Sequence, residues 1–160
     1  RTGHINHFDY VQPLWRTFWS HTFDPMAVSI DGQEIFEGQG LVFVGNISRY
    51  AIGLQLLHYA DYSDGLLDIC IYKCGGRIHL VKHSILTVLK LHANCRDVIY
   101  RQGKSISIRS TSGNVKAEID GDPGPALPVQ IEVVPAAVRC MVPPDAKPGG
   151  IRTRIIRSLR

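Results

Sequence analysis

No apolar run in the 160-residue sequence approaches the roughly 18 to 20 residues that a membrane-spanning helix needs, so none of its segments reads as one. Arg1 to His7 lack the basic start and apolar stretch of a signal peptide. An initiator Met is also missing and the sequence opens in mid-pattern, which reads as a piece of a longer protein. None of the four cysteines, Cys70, Cys74, Cys95 and Cys140, forms a C-x-x-C pair. Cys70 lies in an apolar, strand-like run, where a reduced thiol behaves as a small hydrophobe, so a reducing cytosol is the expected setting. Acid is absent from the last 14 positions, which hold five of the 18 basic residues: Lys147, Arg152, Arg154, Arg157 and Arg160. Without them the body carries 13 basic against 14 acidic side chains. A basic pI of that origin argues against a broad nucleic-acid-binding face. Repeats, heptads and low-complexity tracts are absent too.

Apolar residues make up 44% and charged residues 20%, ordinary values for a globular protein, and the length suits one domain with one core. Ile5 to Phe23 has helical spacing through Phe8, Val11, Leu14, Trp15, Phe18 and Trp19, with Pro13 as a kink or late start. Asp24-Pro25 ends it. Strand signals follow. Met26 to Ile30 and Gln33 to Phe36 flank an Asp31-Gly32 hairpin turn. Gly40 to Ile47 is a near-continuous apolar run, expected to be a strand buried on both faces. Leu66 to Tyr72 alternates loosely. Arg77 to Ala93 returns to helical spacing through Ile78, Val81, Ile85, Val88 and Leu89. Further strands are expected at Asp97 to Tyr100, Ser105 to Arg109, Asn114 to Ile119, and Val129 to Val142 with a break near Pro135. The fold class is therefore mainly β (α+β), a two-sheet β-sandwich lobe with about two attached helices. Residues 1–146 form the lobe, closed by Pro143-Pro144, and residues 147–160 a basic tail. That tail reads as a terminus packing on a neighbour or as a short helix at anionic headgroups.

Several motifs dissolve on inspection. Gly103-Lys104-Ser105 resembles the end of a P-loop, but Val98 stands at the first glycine position and a strand follows where a helix is needed. Gly38-x-Gly40 precedes a strand, the reverse of a dinucleotide fingerprint. His79 and His83 lie at i and i+4 of a helix but have no Glu after the first and no third ligand for zinc. Ser63 and Ser112 sit in no nucleophile motif.

Two acidic clusters remain. Asp61-Tyr-Ser-Asp64-Gly65-Leu66 places two carboxylates in a tight turn before a strand, where side-chain and backbone oxygens can converge on a hard cation such as Mg²⁺. Asp120-Gly121-Asp122-Pro123-Gly124 places two more at a strand end, suited to a metal ion or a proton. From spacing alone, plain turn chemistry accounts for the first cluster better than a cation does, and for the second equally well.

The order of these pieces resembles the C-terminal lobe of the diacylglycerol kinase, sphingosine kinase and ceramide kinase superfamily, bacterial type, over about Phe8 to Pro143. The similar stretches are VSIDGQE (Val28 to Glu34), VFVGN (Val42 to Asn46), a loop with Tyr50 and Gly53, then Ala60 and DGLLDICI (Asp64 to Ile71). KSISIRS and the run from Lys116 to Pro143 match the final strands with their Asp-Gly-Glu turn. In that turn Asp122 replaces the Glu, one methylene shorter, and His58 stands where a Pro is usual. The family's Gly-Gly-Asp-Gly-Thr nucleotide loop is absent.

The resemblance implies ATP-dependent phosphorylation of a lipid hydroxyl in a cleft between two lobes. It implies Asp122 as proton acceptor, Asp120 as its orienting neighbour, and a Mg²⁺ site at Asp61, Asp64 and the Leu66 carbonyl. ATP would be bound mainly by an N-terminal nucleotide-binding lobe of the same protein, so this chain alone is expected to be inactive. A lipid substrate at the membrane surface, its tail between the sheets and the loop Ser48 to Tyr59, cytoplasmic location with peripheral membrane association, and edge strands open to homodimerisation complete the expectation. The alternatives are a non-catalytic lipid-binding or regulatory domain that keeps the fold, and an unrelated sandwich binding sugar or nucleotide.

Overall fold

A computed structural model describes residues 23–48, 54–113, 115–139 and 141. β1 (Pro25–Ile30) and β2 (Gln33–Gly45) form a hairpin whose turn, Asp31 and Gly32, has φ of 48° and 85°. Both central residues at positive φ define a type I′ turn, whose twist matches the flanking strands. The Asp31 carboxylate then accepts the backbone N–H of Lys104 and Ser105 at 3.0 and 2.9 Å. Gly103-Lys104-Ser105 is thus the link from β4 (Val98–Gly103) to β5 (Ser105–Ser110), its amides engaged by Asp31.

The remaining elements are β3 (Leu67–Lys73), α1 (Arg77–Val88), a 3-10 turn at His92–Asn94, β6 (Lys116–Ile119), β7 (Asp122–Ala126) and β8 (Val129–Glu132). Six strands pair antiparallel in the order β4-β3-β2-β1-β5-β8, and β6 and β7 form a separate two-stranded sheet. β2 is shared. Its first half pairs with β1 up to Pro25↔Gln39, and its second half pairs with β3 from Gly40↔Lys73 onward. At the changeover a Cβ on Gly40 would stand 2.5 Å from the Tyr72 carbonyl oxygen, so only glycine admits this approach.

The halves of the large sheet meet across one core. Val28 and Ile30 of β1, Phe36 of β2, Ile69 and Ile71 of β3, and Ile106 of β5 are buried in a single cluster. The other face of β3 buries Cys70 and Tyr72 against Leu56 and Leu57. β3, central between β2 and β4, is therefore the strand buried on both faces. Residues 41–46, expected to be so, are half-buried throughout.

Two further expectations change. α1 ends at Val88, earlier than Ala93, and the chain turns through Lys90 at φ 58° while Leu91 donates to the Leu86 carbonyl at 2.8 Å, a helix-terminating pattern. Its inward residues are His83 and Thr87; the apolar stripe faces outward. β7 is the second difference, a strand across Asp122–Ala126 that contains two prolines. A two-stranded ribbon has only edges, and an edge tolerates residues that donate no hydrogen bond. Residues 133–139 form no strand. The expected helix from Ile5 to Phe23 (Phe23 apart), Tyr50, Gly53, Cys140 and the 147–160 tail lie outside the described residues.

Candidate functional site

The first acidic turn is built by its own side chains. Asp61 Oδ1 accepts the Ser63 amide at 2.9 Å and the Ser63 hydroxyl at 2.6 Å, a local bond that stabilises a turn in place of regular structure. Asp64 Oδ1 accepts the Leu66 amide at 2.9 Å, and Gly65 between them has φ 69°. Asp61, Asp64 and Leu66 therefore sit on one tight turn at the entrance to β3.

That turn is tied to the sheet by a residue on β4. Gln102 Nε2 donates to Asp64 Oδ2 at 3.1 Å and to Asp68 Oδ2 at 3.0 Å. Its two amide hydrogens allow one bond to each. Asp68 is 0% exposed. Its other oxygen accepts the Tyr100 hydroxyl at 2.6 Å, and the Tyr59 amide donates to that hydroxyl at 3.3 Å. The β3–β4 register explains the convergence: Gln102 lies directly opposite Asp68, and Tyr100 lies opposite Cys70, two residues along the same face. The Tyr59 ring meets Tyr100 edge-on with centroids 5.3 Å apart. A buried carboxylate persists only when its oxygens are satisfied, and here one network satisfies them while fixing the loop before β3.

Asp68 was not singled out from sequence as a site residue. The available signal was an acid inside an otherwise apolar strand, in LLDICIY, which calls for partners; its partners lie 32 and 34 residues further on and depend on register.

The second acidic turn is of a different kind. Ile119 pairs with Asp122, leaving Asp120 (φ 52°) and Gly121 (φ 93°) as a two-residue hairpin turn. Both carboxylates are exposed, and neither has a hydrogen-bond or ion-pair partner among the described residues. The ribbon is anchored at its foot, where the Leu127 amide donates to the Val115 carbonyl at 2.8 Å and both side chains pack on the main core. The structure thus pairs Asp61 with Asp64 and Asp120 with Asp122. Among the described residues no three His, Cys, Asp or Glu side chains gather as a metal site, so the two turns do not merge into one cluster. His79 is exposed and the His83 ring nitrogen contacts the Lys73 carbonyl at 3.1 Å, so the pair forms no zinc site.

The family described as the YegS C-terminal NAD kinase β-sandwich-like domain matches residues 4–142. A diacylglycerol kinase of Mycobacterium tuberculosis is 32% identical over 120 residues, 74% of this chain and 38% of that protein. The lipid kinase YegS of Escherichia coli is 29% identical over 126 residues, 78% of this chain and 40% of that one. The crystal structure of a diacylglycerol kinase from Bacillus anthracis superposes with a TM-score of 0.59 at 25% identity, over 78% of this chain and 43% of that one. The chain spans less than half the length of these relatives. It belongs to the YegS C-terminal, NAD kinase β-sandwich-like domain family.

Proposed function

We propose that this chain is the substrate-binding and catalytic C-terminal part of an ATP-dependent kinase that phosphorylates the hydroxyl of a diacylglycerol-like lipid. The observation that carries the reading is the Asp120-Gly121-Asp122 tip, which offers two exposed carboxylates without partners among the described residues. Asp68 is the contrast: its oxygens are already committed to Tyr100 and Gln102. A proton acceptor needs a carboxylate free to reach its substrate, and the tip provides one.

Phosphoryl transfer asks the protein for positioning, charge neutralisation and a proton acceptor. In this reading Asp122 takes the proton of the lipid hydroxyl, and Asp120, on the other side of Gly121, orients it. Mg²⁺ would neutralise phosphate charge when bound. Asp61, Asp64 and the Leu66 carbonyl fit it as hard oxygen donors. Each Asp64 oxygen has one hydrogen bond and retains a lone pair, and Mg²⁺ ordinarily completes its shell with water. ATP is assigned mainly to an N-terminal lobe of the same protein, because the 160 residues contain no Gly-Gly-Asp-Gly-Thr loop. The chain by itself should then transfer no phosphate. In this reading the protein works in the cytoplasm, at the membrane surface where the lipid resides, and open sheet edges would serve dimerisation.

Asp122 in place of Glu favours a second reading, a lipid-binding domain that keeps the fold without the chemistry. Transfer of labelled phosphate from ATP to lipids in vesicles by the intact protein separates the two. Transfer to a lipid hydroxyl supports the kinase. Lipid binding without transfer across a panel of diacylglycerol, long-chain base, ceramide and phosphatidylglycerol supports the second reading.

A further inference from the structure

The rotation of α1 about its axis is specified by a polar and aromatic seam. The Tyr72 hydroxyl and Thr87 Oγ1 are 2.8 Å apart, and the His83 ring stacks on Tyr72 with centroids 4.9 Å apart. His83 also contacts the Lys73 carbonyl at 3.1 Å. With His83 and Thr87 turned inward, the helical repeat turns the apolar residues outward. Ile78 is 85% exposed, Val88 66%, Leu89 58%, Ile85 55% and Val81 46%. A contiguous aliphatic ridge of this kind on a folded surface marks an interaction site.

The charge around the ridge identifies the occupant. From Lys73 to Arg96 the sequence has five Lys or Arg and no Asp or Glu. Lys82 is paired with Asp97, so the excess positive charge rests on Arg77, at one flank of the ridge, and on exposed Lys73, Lys90 and Arg96. The acids bounding this stretch are committed: Asp68 is buried against Tyr100 and Gln102, and Asp97 pairs with Lys82. An apolar ridge in a stretch with excess positive charge, on a short helix lying along the surface, has the composition of an interfacial helix. A second copy of the chain would bring an identical cationic fringe against this one, which like-charge repulsion opposes.

We infer that the outward face of α1 docks on an anionic lipid bilayer, with Ile78, Val81, Ile85 and Val88 entering the headgroup boundary and the neighbouring cations, Lys73 and Lys90 among them, held at lipid phosphates. The inference rests on the lipid-kinase reading, whose substrate resides in a bilayer. Its test reads binding and not turnover, so the two can fail separately.

The test is co-sedimentation of the intact protein with vesicles of phosphatidylcholine and phosphatidylglycerol in equal proportion, against vesicles of phosphatidylcholine alone. Binding to the mixed vesicles alone is expected, with Ile85→Asp and, separately, Ile78→Asp each reducing it at least about tenfold. Replacing Lys73 and Lys90 by Glu should abolish the preference for phosphatidylglycerol. Because the face is open to solvent, Ile78→Asp should leave the unfolding midpoint within about 3 °C of the parent. Undiminished binding by both Asp variants overturns the inference. A large fall in the midpoint of both variants also overturns it, because the ridge would then be covered by another segment of the protein. So does self-association that the Asp variants abolish, which would assign the ridge to a second copy.

Discussion

The Tyr100 phenol donates a 2.6 Å hydrogen bond to Asp68, a carboxylate with no exposed surface. Tyr100 also accepts the Tyr59 amide, so one hydroxyl joins the loop before β3 to the buried acid on β3. Its removal leaves a buried carboxylate oxygen short of a donor, at a cost of about 1–3 kcal/mol. Tyr100→Phe should therefore lower the midpoint of urea unfolding with little change in slope. An unchanged midpoint would show that water replaces the phenol at no cost.

Gly40 allows β2 and β3 to meet at the Tyr72 carbonyl, 2.5 Å from where a Cβ would stand. The obstacle is backbone in a central strand and cannot swing aside. Gly40→Ala should destabilise the fold by about 1–3 kcal/mol, as overpacking does. Thermal unfolding of the single variant checks this.

Lys82 and Asp97 form an exposed ion pair in which hydrogen bonding to each other raises the lysine above 10.5 and lowers the aspartate below 3.8. Asp97, lowered on folding, contributes stability above its unfolded value and loses it as pH falls through the folded one. Lys82, raised on folding, contributes below about 10.5 and loses it as pH climbs beyond. Lys82→Met should thus differ from the parent most between these limits and converge with it in acid. Because both groups are exposed, the difference should shrink in high salt. Unfolding midpoints across pH at two ionic strengths test the pattern.

Burial pushes the Cys70 thiol up to about 12, opposed by a smaller contribution from its hydrogen bond with Tyr72. At pH 8 only about one part in ten thousand is then thiolate, the reactive form. In a Cys140→Ser background, a thiol-specific reagent should modify half-buried Cys95 first, and Cys70 only on unfolding. Rapid labelling of Cys70 in the folded protein would contradict its burial.

Much of the scaffold was legible because local chemistry and tertiary context agree. Asp31-Gly32 announces a type I′ turn and forms one, and the alternation of Ser105 to Arg109 yields β5 with Ile106 and Ile108 inward. The order of the motifs likewise points to the family to which the chain belongs. Where the reading failed, tertiary context had overridden local pattern. The stripe from Ile78 to Leu89 has the expected period, but which way it faces was not legible, because that is set by Tyr72 stacking with His83 and bonding Thr87. β7 was hidden by Pro123 and Pro125, which an edge strand accommodates and an interior one does not. Asp61 and Asp64 were legible as one turn, and Asp120 and Asp122 as another. Asp68 was not legible as part of the site, since its meaning depends on a register that places Gln102 opposite it.

The central claim is that Asp122 takes the proton from a lipid hydroxyl, and the most direct measurement is ATP-dependent lipid phosphorylation by the intact protein and its Asp122→Asn variant. The account predicts a loss of at least about a hundredfold in turnover for the Asn variant with its unfolding midpoint unchanged, and substantial activity in Asp122→Glu, which keeps a carboxylate. Full activity of Asp122→Asn would contradict it.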